Sequence, residues 1–177
     1  MRQIVLLRGI NLGSRNRIAM PRLRDVLEAA GFADVATYVQ SGNVVLESDV
    51  KSTRLAEQCT RLIASEFGLD IAVIVRTRDE LAAVIERNPL GDVVDNPKRY
   101  QVSFLAEEPS SELVEKLAAA ALEAERLVAI GRELYAWHPN GVARSKLWGR
   151  LAGRDLGIAA TARNWTTVTA LLALADA

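Results

Sequence analysis

Short apolar segments alternate with amphipathic helical segments along the first half of this 177-residue chain, and their order constrains the fold most strongly. The segment 3–10, QIVLLRGI, is rich in Leu and β-branched residues and is typical of a buried strand. Pro21 opens a helical pattern, PRLRDVLEAAGF, that ends at Gly31. Two further strands are predicted at 35–40 and 44–48, joined by a tight SGN turn.

A predicted helix at 52–67 and a predicted strand at 71–77 complete the order β-α-β-β-α-β, which is ferredoxin-like. In that topology the strands lie in the order 4-1-3-2, and neighbours are antiparallel. The two central strands carry the nearly continuous apolar runs IVLL and VVL, which indicates a sheet covered on both faces. Because these strands carry no aromatic side chain, base stacking on the sheet face, as in RNA-recognition modules, is not expected.

The second half predicts another α/β unit after a linker rich in turn residues, PLGDVVDNP at 89–97. Its predicted elements are a helix at 78–88 before the linker, a strand at 100–106, a helix at 110–122, a hairpin at 126–130 and 133–137, and helices at 143–153 and 164–175. We therefore expect an α+β protein with a ferredoxin-like βαββαβ N-terminal half, followed by a second βαββ unit and two C-terminal helices. The predicted subdomains are 1–88 and 98–177, and a diverged duplication is suspected.

Composition excludes several classes of protein. Half of the residues are hydrophobic and a quarter are charged, which is ordinary for a globular protein. No apolar run reaches the roughly 18 residues of a membrane span, and the N-terminus is typical of a strand rather than a signal peptide. Cys59 is the only cysteine, so neither a disulfide framework nor a metal-binding spacing is present. We expect a cytoplasmic protein without a metal, a cofactor or membrane association.

Charge is unevenly distributed although the net charge is zero. Residues 1–24 contain six arginines and no acid, and residues 138–165 contain five basic residues and one acid. Residues 25–137 contain eleven basic and twenty acidic residues. If the two basic ends meet, they form one positive patch; the alternative is a set of scattered, solvated side chains.

The loop after the first strand is the main candidate for a functional site. In a ferredoxin-like sheet it lies at the same end as the turn that begins at Gln40 and as the helix N-terminus at Pro21. A helix N-terminus attracts anions, Gly9 and Gly13 allow close backbone approach, and arginines bind phosphate or carboxylate groups. The candidate ligand-binding residues are Arg8, Asn11, Gly13, Arg15, Arg17, Gln40, Ser41, Asn43 and Arg163. The alternative is that the asparagines and glycines only shape turns.

Three functions are compatible with these patterns. The first is binding of a phosphate-bearing small molecule or a nucleic-acid backbone at the loops 8–17 and 40–43. The second is an enzyme acting on a small anion at the same site, although no convincing general base is present. The third is a structural or assembly protein, with a homodimer surface on the hairpin 126–137 or the helix 164–175.

Residues elsewhere favour structural roles. His138 is the only histidine and is expected to end a strand. Ser145 and Lys146 are adjacent on a predicted helix, where their side chains diverge by about 100°, so a Ser/Lys nucleophile pair is not favoured. Asn164 is expected to cap the last helix, and Trp165 to pack inward.

Both ends of the chain resemble the bacterial domain-of-unknown-function 1697 family. The N-terminal segment LLRGINLGSRNRIAMPRLRDVLEAAGFADVATYVQSGNVVLES carries the Arg-Gly-Ile-Asn loop and the Tyr-Val-Gln-Ser-Gly-Asn turn of that family. Near the C-terminus, Ser-Lys-Leu at 145–147 and Thr-Ala-Arg-Asn-Trp at 161–165 are the matching features. The resemblance implies a ferredoxin-like α/β architecture but no settled activity, so the ligand and any reaction stay open.

Overall fold

The computed structural model describes residues 1–153 and 156–177 and shows an α+β protein with two four-stranded antiparallel sheets. The first half contains β1 (Arg2–Leu7), α1 (Met20–Ala29), β2 (Ala33–Tyr38), β3 (Asn43–Glu47), α2 (Ser52–Phe67), β4 (Val73–Thr77) and α3 (Arg78–Arg87). The second half contains a short 3₁₀ helix (Pro97–Arg99), β5 (Tyr100–Leu105), α4 (Ser111–Ala119), β6 (Arg126–Ile130), β7 (Glu133–Trp137), α5 (Lys146–Ala152), β8 (Ala160–Asn164) and α6 (Trp165–Asp176).

The first sheet has the strand order β2-β3-β1-β4, which is the expected order of strands. The central strand β1 pairs antiparallel with both β3 and β4. Its apolar run Ile4–Leu7 is almost completely buried, as is Val44–Leu46 on β3. Both faces of the central strands are therefore covered, as their continuous apolar runs predict.

Local sequence signals account for the helix boundaries. In α1, Leu23, Val26 and Leu27 form the buried face, and the helix ends at Ala29. Gly31 follows shortly after this end, and its φ of +95° suits a residue without a Cβ. At the start of α3, Thr77 and Glu80 form a capping box: Thr77 N–H donates to Glu80 Oε2 at 2.8 Å, and Glu80 N–H donates to Thr77 Oγ1 at 3.1 Å.

The second sheet has the order β6-β7-β5-β8, so each sheet is built from four strands in the same sequential arrangement. The sequence predicted a βαββ unit followed directly by two helices; the structure adds β8 between them. The segment ATARN of β8 contains mainly residues with low strand propensity. It forms a strand because it pairs with the buried strand β5 over the five residues from Gln101 to Leu105. Tertiary pairing thus overrides local preference.

The chain forms two compact units. The first contains residues Met1–Ala83 and Ala170–Ala177, and the second contains Val84–Thr169. The sequence placed the first boundary at a linker over 89–97 and assigned the whole C-terminus to the second subdomain. In the compact units of the structure, residues 170–177 group with the first unit, and α3 and α6 each contribute residues to both units.

Candidate functional site

The loop after β1 and the β2–β3 turn are bound to each other at one end of the first sheet. Leu7 N–H donates to the carbonyl oxygen of Gly42 at 2.9 Å, and Asn11 Nδ2 donates to that of Gln40 at 2.7 Å. A Cβ at Gly42, whose φ is +79°, would lie 2.7 Å from the Cβ of Leu7, so only glycine fits there. We call residues 8–19 and 39–43 together the basic loop edge.

The side chain of Asn11 holds the basic loop edge together through a set of hydrogen bonds, which we call the Asn11 brace. Its Nδ2 also donates to the carbonyl oxygen of Ile18 at 2.8 Å, and its Oδ1 accepts a hydrogen bond from Ile18 N–H at 2.8 Å. Asn16 Nδ2 donates to the carbonyl oxygen of Gly9 at 3.1 Å. Asn11 and Asn16 have φ angles of +54° and +50°, which asparagine tolerates better than most residues. These two side chains hold the loop shape rather than facing a ligand.

The three turn residues proposed as ligand-binding have different environments. Asn43 is fully buried, and its Nδ2 donates to the carbonyl oxygen of Tyr38 at 3.2 Å and to Ser41 Oγ at 3.0 Å. Asn43 therefore shapes the turn. Gln40 and Ser41 are exposed, so they can meet a solute.

The arginines of the edge face solvent. Arg15 and Arg17 are exposed and Arg8 is partly exposed. Arg17 Nη1 donates to the carbonyl oxygen of Gly13 at 2.9 Å, and Gly13 has a φ of +63°. Within the part of the chain that the structure describes, neither Arg15 nor Arg17 forms an ion pair, and the edge itself contains no Asp or Glu. The edge is consequently a positively charged surface.

The N-terminus of α1 follows the loop directly. The residue before the helix is Ala19, which has no side chain that can cap the first N–H groups, and the first turn contains no acid. Uncapped N–H groups and the helix dipole add partial positive charge at this point. This partial positive charge adds to that of the arginines in the preceding loop.

Arg163 lies in the second unit, on β8, and is 8% exposed. Its Nη1 donates to Thr161 Oγ1 at 2.6 Å and to the carbonyl oxygen of Ala162 at 2.8 Å. Burial lowers its pKa to about 10. The side chain is bound to groups of its own strand, and this is a structural environment that the sequence did not indicate.

A buried polar cluster in the second unit was missed by the sequence analysis. Glu125, His138 and Ser145 are each at most 8% exposed. Ser145 Oγ donates to Glu125 Oε2 at 2.6 Å, and His138 Nδ1 is bound to the same oxygen. Leu122 N–H donates to Glu125 Oε1 at 2.9 Å. The carboxyl group thus joins three chain segments.

The cluster is not arranged as a serine nucleophile with a histidine base. Ser145 Oγ is bonded to the carboxylate and accepts Trp148 N–H at 3.0 Å, as the cap of α5. His138 Nε2, the atom that would receive the serine proton in such a relay, is buried and has no partner among the described residues. The His138 and Trp148 rings pack edge to face with centroids 5.9 Å apart. The arrangement supports packing and helix capping rather than acyl transfer.

A surface cleft of about 840 Å³ lies at the opposite end of the first sheet, beside the α1–β2 and β3–α2 connections. Its lining includes Phe32, Val50 and Leu62, with Asp49 and Arg61 among the charged residues. None of the candidate residues named from the sequence lines this cleft. The residues that line it form no sequence motif that could have marked it.

Other chemistry finds little support in the described residues. Burial raises the pKa of the Cys59 thiol to about 12, so it is not a reactive thiolate. Over residues 1–153 and 156–177, no group of three or more His, Cys, Asp or Glu side chains is placed to hold a metal ion. No helix in this same part of the chain is long and apolar enough to cross a bilayer.

Comparison with known proteins now places the chain. The family model described as "Protein of unknown function (DUF1697)" matches residues 1–135, which include the basic loop edge. The chain belongs to this family. The C-terminal Thr-Ala-Arg-Asn-Trp motif lies beyond the matched residues. None of the curated proteins matches the chain.

A solved structure is similar to the DUF1697 chain over almost its whole length. It is the conserved bacterial protein SP0830 from Streptococcus pneumoniae, with a TM-score of 0.80 and 20% sequence identity. The alignment covers 98% of each chain. At this identity the likeness establishes the shared α+β fold alone.

Proposed function

We propose that this protein binds a phosphate-bearing anion at the basic loop edge, with Arg15 and Arg17 as the main charged contacts. Arg8, Gln40 and Ser41 complete the surface that the anion meets. Guanidinium groups bind phosphate oxygens through short, charge-assisted hydrogen bonds, often in pairs. The ligand class includes nucleotides, polyphosphate and the backbone of a nucleic acid.

The observation that carries this proposal is that the side chain of Asn11 fixes the loop that contains the arginines. Asn11 binds both the loop, through Ile18, and the neighbouring turn, through Gln40. A loop that is fixed before binding loses less conformational entropy when it meets a ligand. Two arginines without a carboxylate partner on a fixed frame, beside an uncapped helix N-terminus, favour an anion over other solutes.

Binding is favoured over catalysis by the composition of the edge. Residues 8–19 and 39–43 contain no Asp, Glu, His, Cys or Lys. General acid–base catalysis requires a group that exchanges a proton near neutral pH, and arginine does not do so. The edge can orient and hold an anion without changing it.

Titration at low salt with ATP, inorganic polyphosphate and a short RNA tests the proposal. We expect binding to at least one of these ligands, with affinity that falls as salt is raised. The double variant Arg15→Ala/Arg17→Ala should weaken binding by about tenfold per arginine removed. The matched control is Arg54→Ala, an exposed arginine on α2 away from the edge, which should leave binding unchanged. Absence of binding to all three ligands, or equal losses in both variants, contradicts the proposal.

A second variant separates the frame from the charge. Asn11→Ala removes the brace but leaves all arginines in place, so binding should weaken while its salt dependence stays as in the wild-type protein. Unchanged affinity in this variant would show that fixing the loop before binding does not contribute to anion affinity.

A further inference from the structure

The edge strands of the two sheets differ in how far they are covered. At one edge of each sheet, four of the five residues of β4 and three of the five residues of β8 are buried. β2 and β6, at the other edge, contain exposed or partly exposed residues along most of their length. An open edge presents unpaired backbone N–H and C=O groups that invite pairing with another strand.

The β2 edge has two features that disfavour such pairing. The register between β2 and β3 shifts between Ala33 and Ala36, which marks a bulge. Asp34 within it has a φ of +48°, and its Oδ2 lies 3.6 Å from Arg2 Nη2. A bulge and a charged residue on an edge both disfavour the docking of a further strand.

The β6 edge has no bulge and carries one charged residue, Arg126, at its first position. It pairs with β7 over five consecutive residue pairs without a register shift. After Arg126 the strand reads Leu-Val-Ala-Ile, and all four residues are partly exposed. Leu122, which precedes the strand, is 46% exposed and is among the largest exposed apolar side chains of the described residues. Beyond Arg126 this edge is regular and apolar, so it is suited to pairing.

The hairpin geometry fixes which backbone groups of β6 point outward. Ile130 and Glu133 close a two-residue turn in which Gly131 has a φ of +57°. Hydrogen-bonded and non-hydrogen-bonded pairs alternate along an antiparallel ladder. Counting back from the closing pair, the N–H and C=O groups of Leu127 and Ala129 point away from β7. No other strand in the described part of the chain pairs with them.

We propose that β6 pairs antiparallel with β6 of a second copy of this chain, about a two-fold axis at Val128. In this register Leu127 lies opposite Ala129 of the second copy, and Ala129 lies opposite its Leu127. Because both residues point their backbone groups outward, the two pairs form four hydrogen bonds and join the two sheets into one of eight strands. The edge is thus complementary to itself, as a two-fold homodimer interface requires.

Charge placement at the ends of β6 agrees with a second copy as the occupant. Glu123 is exposed just before the strand, and Arg132 lies just after it. An antiparallel arrangement centred on Val128 brings Glu123 of each copy towards Arg132 of the other. Opposite charges near a strand pair add stability and select the antiparallel orientation.

Val128 offers a direct test, because it would lie opposite itself across the two-fold axis. Light scattering of the wild-type protein should give twice the 19.3 kDa chain mass at high concentration. Val128→Lys and Val128→Glu should each be monomeric, since like charges would then face each other. An equimolar mixture of the two variants should regain the doubled mass. A monomeric wild-type protein, or a dimer that both variants retain, overturns the proposal.

Cross-linking tests the same register in a variant that changes little else. Directly opposite residues of a non-hydrogen-bonded pair have Cβ atoms about 4.5–5.5 Å apart, close enough for a disulfide after small adjustment. Val128→Cys should therefore form a covalent dimer on mild oxidation, while native Cys59 is buried and inert. The matched control is Thr37→Cys on the β2 edge, which should stay monomeric. Equal cross-linking in both variants, or none in Val128→Cys, contradicts the register.

Discussion

The same chain connection is held by different chemistry in the two units. In the first unit, the connection from β3 to α2 is held by Gln3, which is fully buried. Gln3 Nε2 donates to the carbonyl oxygens of Ser48 at 3.1 Å and Val50 at 2.7 Å, and Ser52 Oγ donates to Gln3 Oε1 at 2.8 Å. Only neutral groups take part.

In the second unit, the matching connection from β7 to α5 is held by the Glu125, His138 and Ser145 cluster. Its central group is a carboxyl group rather than an amide. The difference teaches which connection depends on pH. The β3–α2 connection is held by neutral amide and hydroxyl groups, whereas the β7–α5 connection is held by ionisable groups in a buried site. We therefore expect the connection in the second unit, and not that in the first, to be sensitive to acid.

Removal of the central carboxyl group should have the largest effect. Glu125→Ala leaves Ser145, His138 and the N–H of Leu122 without an acceptor in a buried site, so the free energy of unfolding should fall by about 3 kcal/mol. Urea unfolding followed by circular dichroism measures this. Glu115→Ala, at an exposed residue on α4, serves as the control and should change stability by less than about 0.5 kcal/mol. Similar losses in both variants would contradict the role given to the cluster.

Loss of the neutral network should cost less. Gln3→Ala removes three hydrogen bonds at the β3–α2 connection, and we expect a loss of about 2 kcal/mol in the free energy of unfolding. Because no ionisable group takes part, this loss should be the same at neutral and mildly acidic pH. A loss that changes with pH would contradict the contrast between the two units.

The pKa of Glu125 makes the stability of the second unit dependent on pH. Burial alone raises the pKa of Glu125, but hydrogen bonds from Ser145, Leu122 N–H and His138 outweigh burial and hold that pKa below its ordinary value of 4.5. The unfolded state then binds the proton more readily, so the stabilisation is present above about pH 4.5 and is lost as the pH falls through the lower folded pKa.

The matched variant for this prediction is Glu125→Gln. The difference in unfolding free energy between the wild-type protein and this variant should shrink as the pH falls from 6 towards 3. Urea unfolding across that range measures it. A difference that grows on acidification would show that the folded-state pKa is raised instead.

The smallest predicted effect is a gain in stability at the basic loop edge. Val39 is 54% exposed and has a φ of +49°, a region that a β-branched residue enters only with strain. Val39→Gly should raise the unfolding free energy by about 0.5 kcal/mol, since relief of strain exceeds the added freedom of the unfolded chain. Val93→Gly, at an exposed residue without a positive φ, should lower it by a similar amount. A lower unfolding free energy in Val39→Gly would show that the backbone at Val39 is not strained.

Much of the fold follows from sequence patterns, and the failures have physical causes. The apolar runs of β1 and β3, the capping box of Thr77 and Glu80 and the helix cap by Asn164, which accepts Thr167 N–H at 2.9 Å, are local signals. β8 was missed because pairing with β5, not its own residues, makes it a strand.

The arrangement of the two loops was predicted more fully than the contacts of their side chains. The predicted topology placed the β2–β3 turn beside the loop after β1. The sequence does not distinguish a side-chain amide that binds a ligand from one that binds the backbone of its own turn. Asn11 and Asn43 turned out to bind the backbone. The Glu125, His138 and Ser145 cluster could not be recognised, because its members follow no common motif and meet only when β6, β7 and α5 are assembled.

The measurement that tests the central assignment most directly is NMR chemical-shift mapping with inorganic polyphosphate at low salt. We predict that the amide signals of residues 8–19 and 39–43 shift on titration, and that those around Arg144, Lys146 and Arg150 in the second unit do not. Shifts confined to the second unit, or no shifts at any residue, would contradict the account.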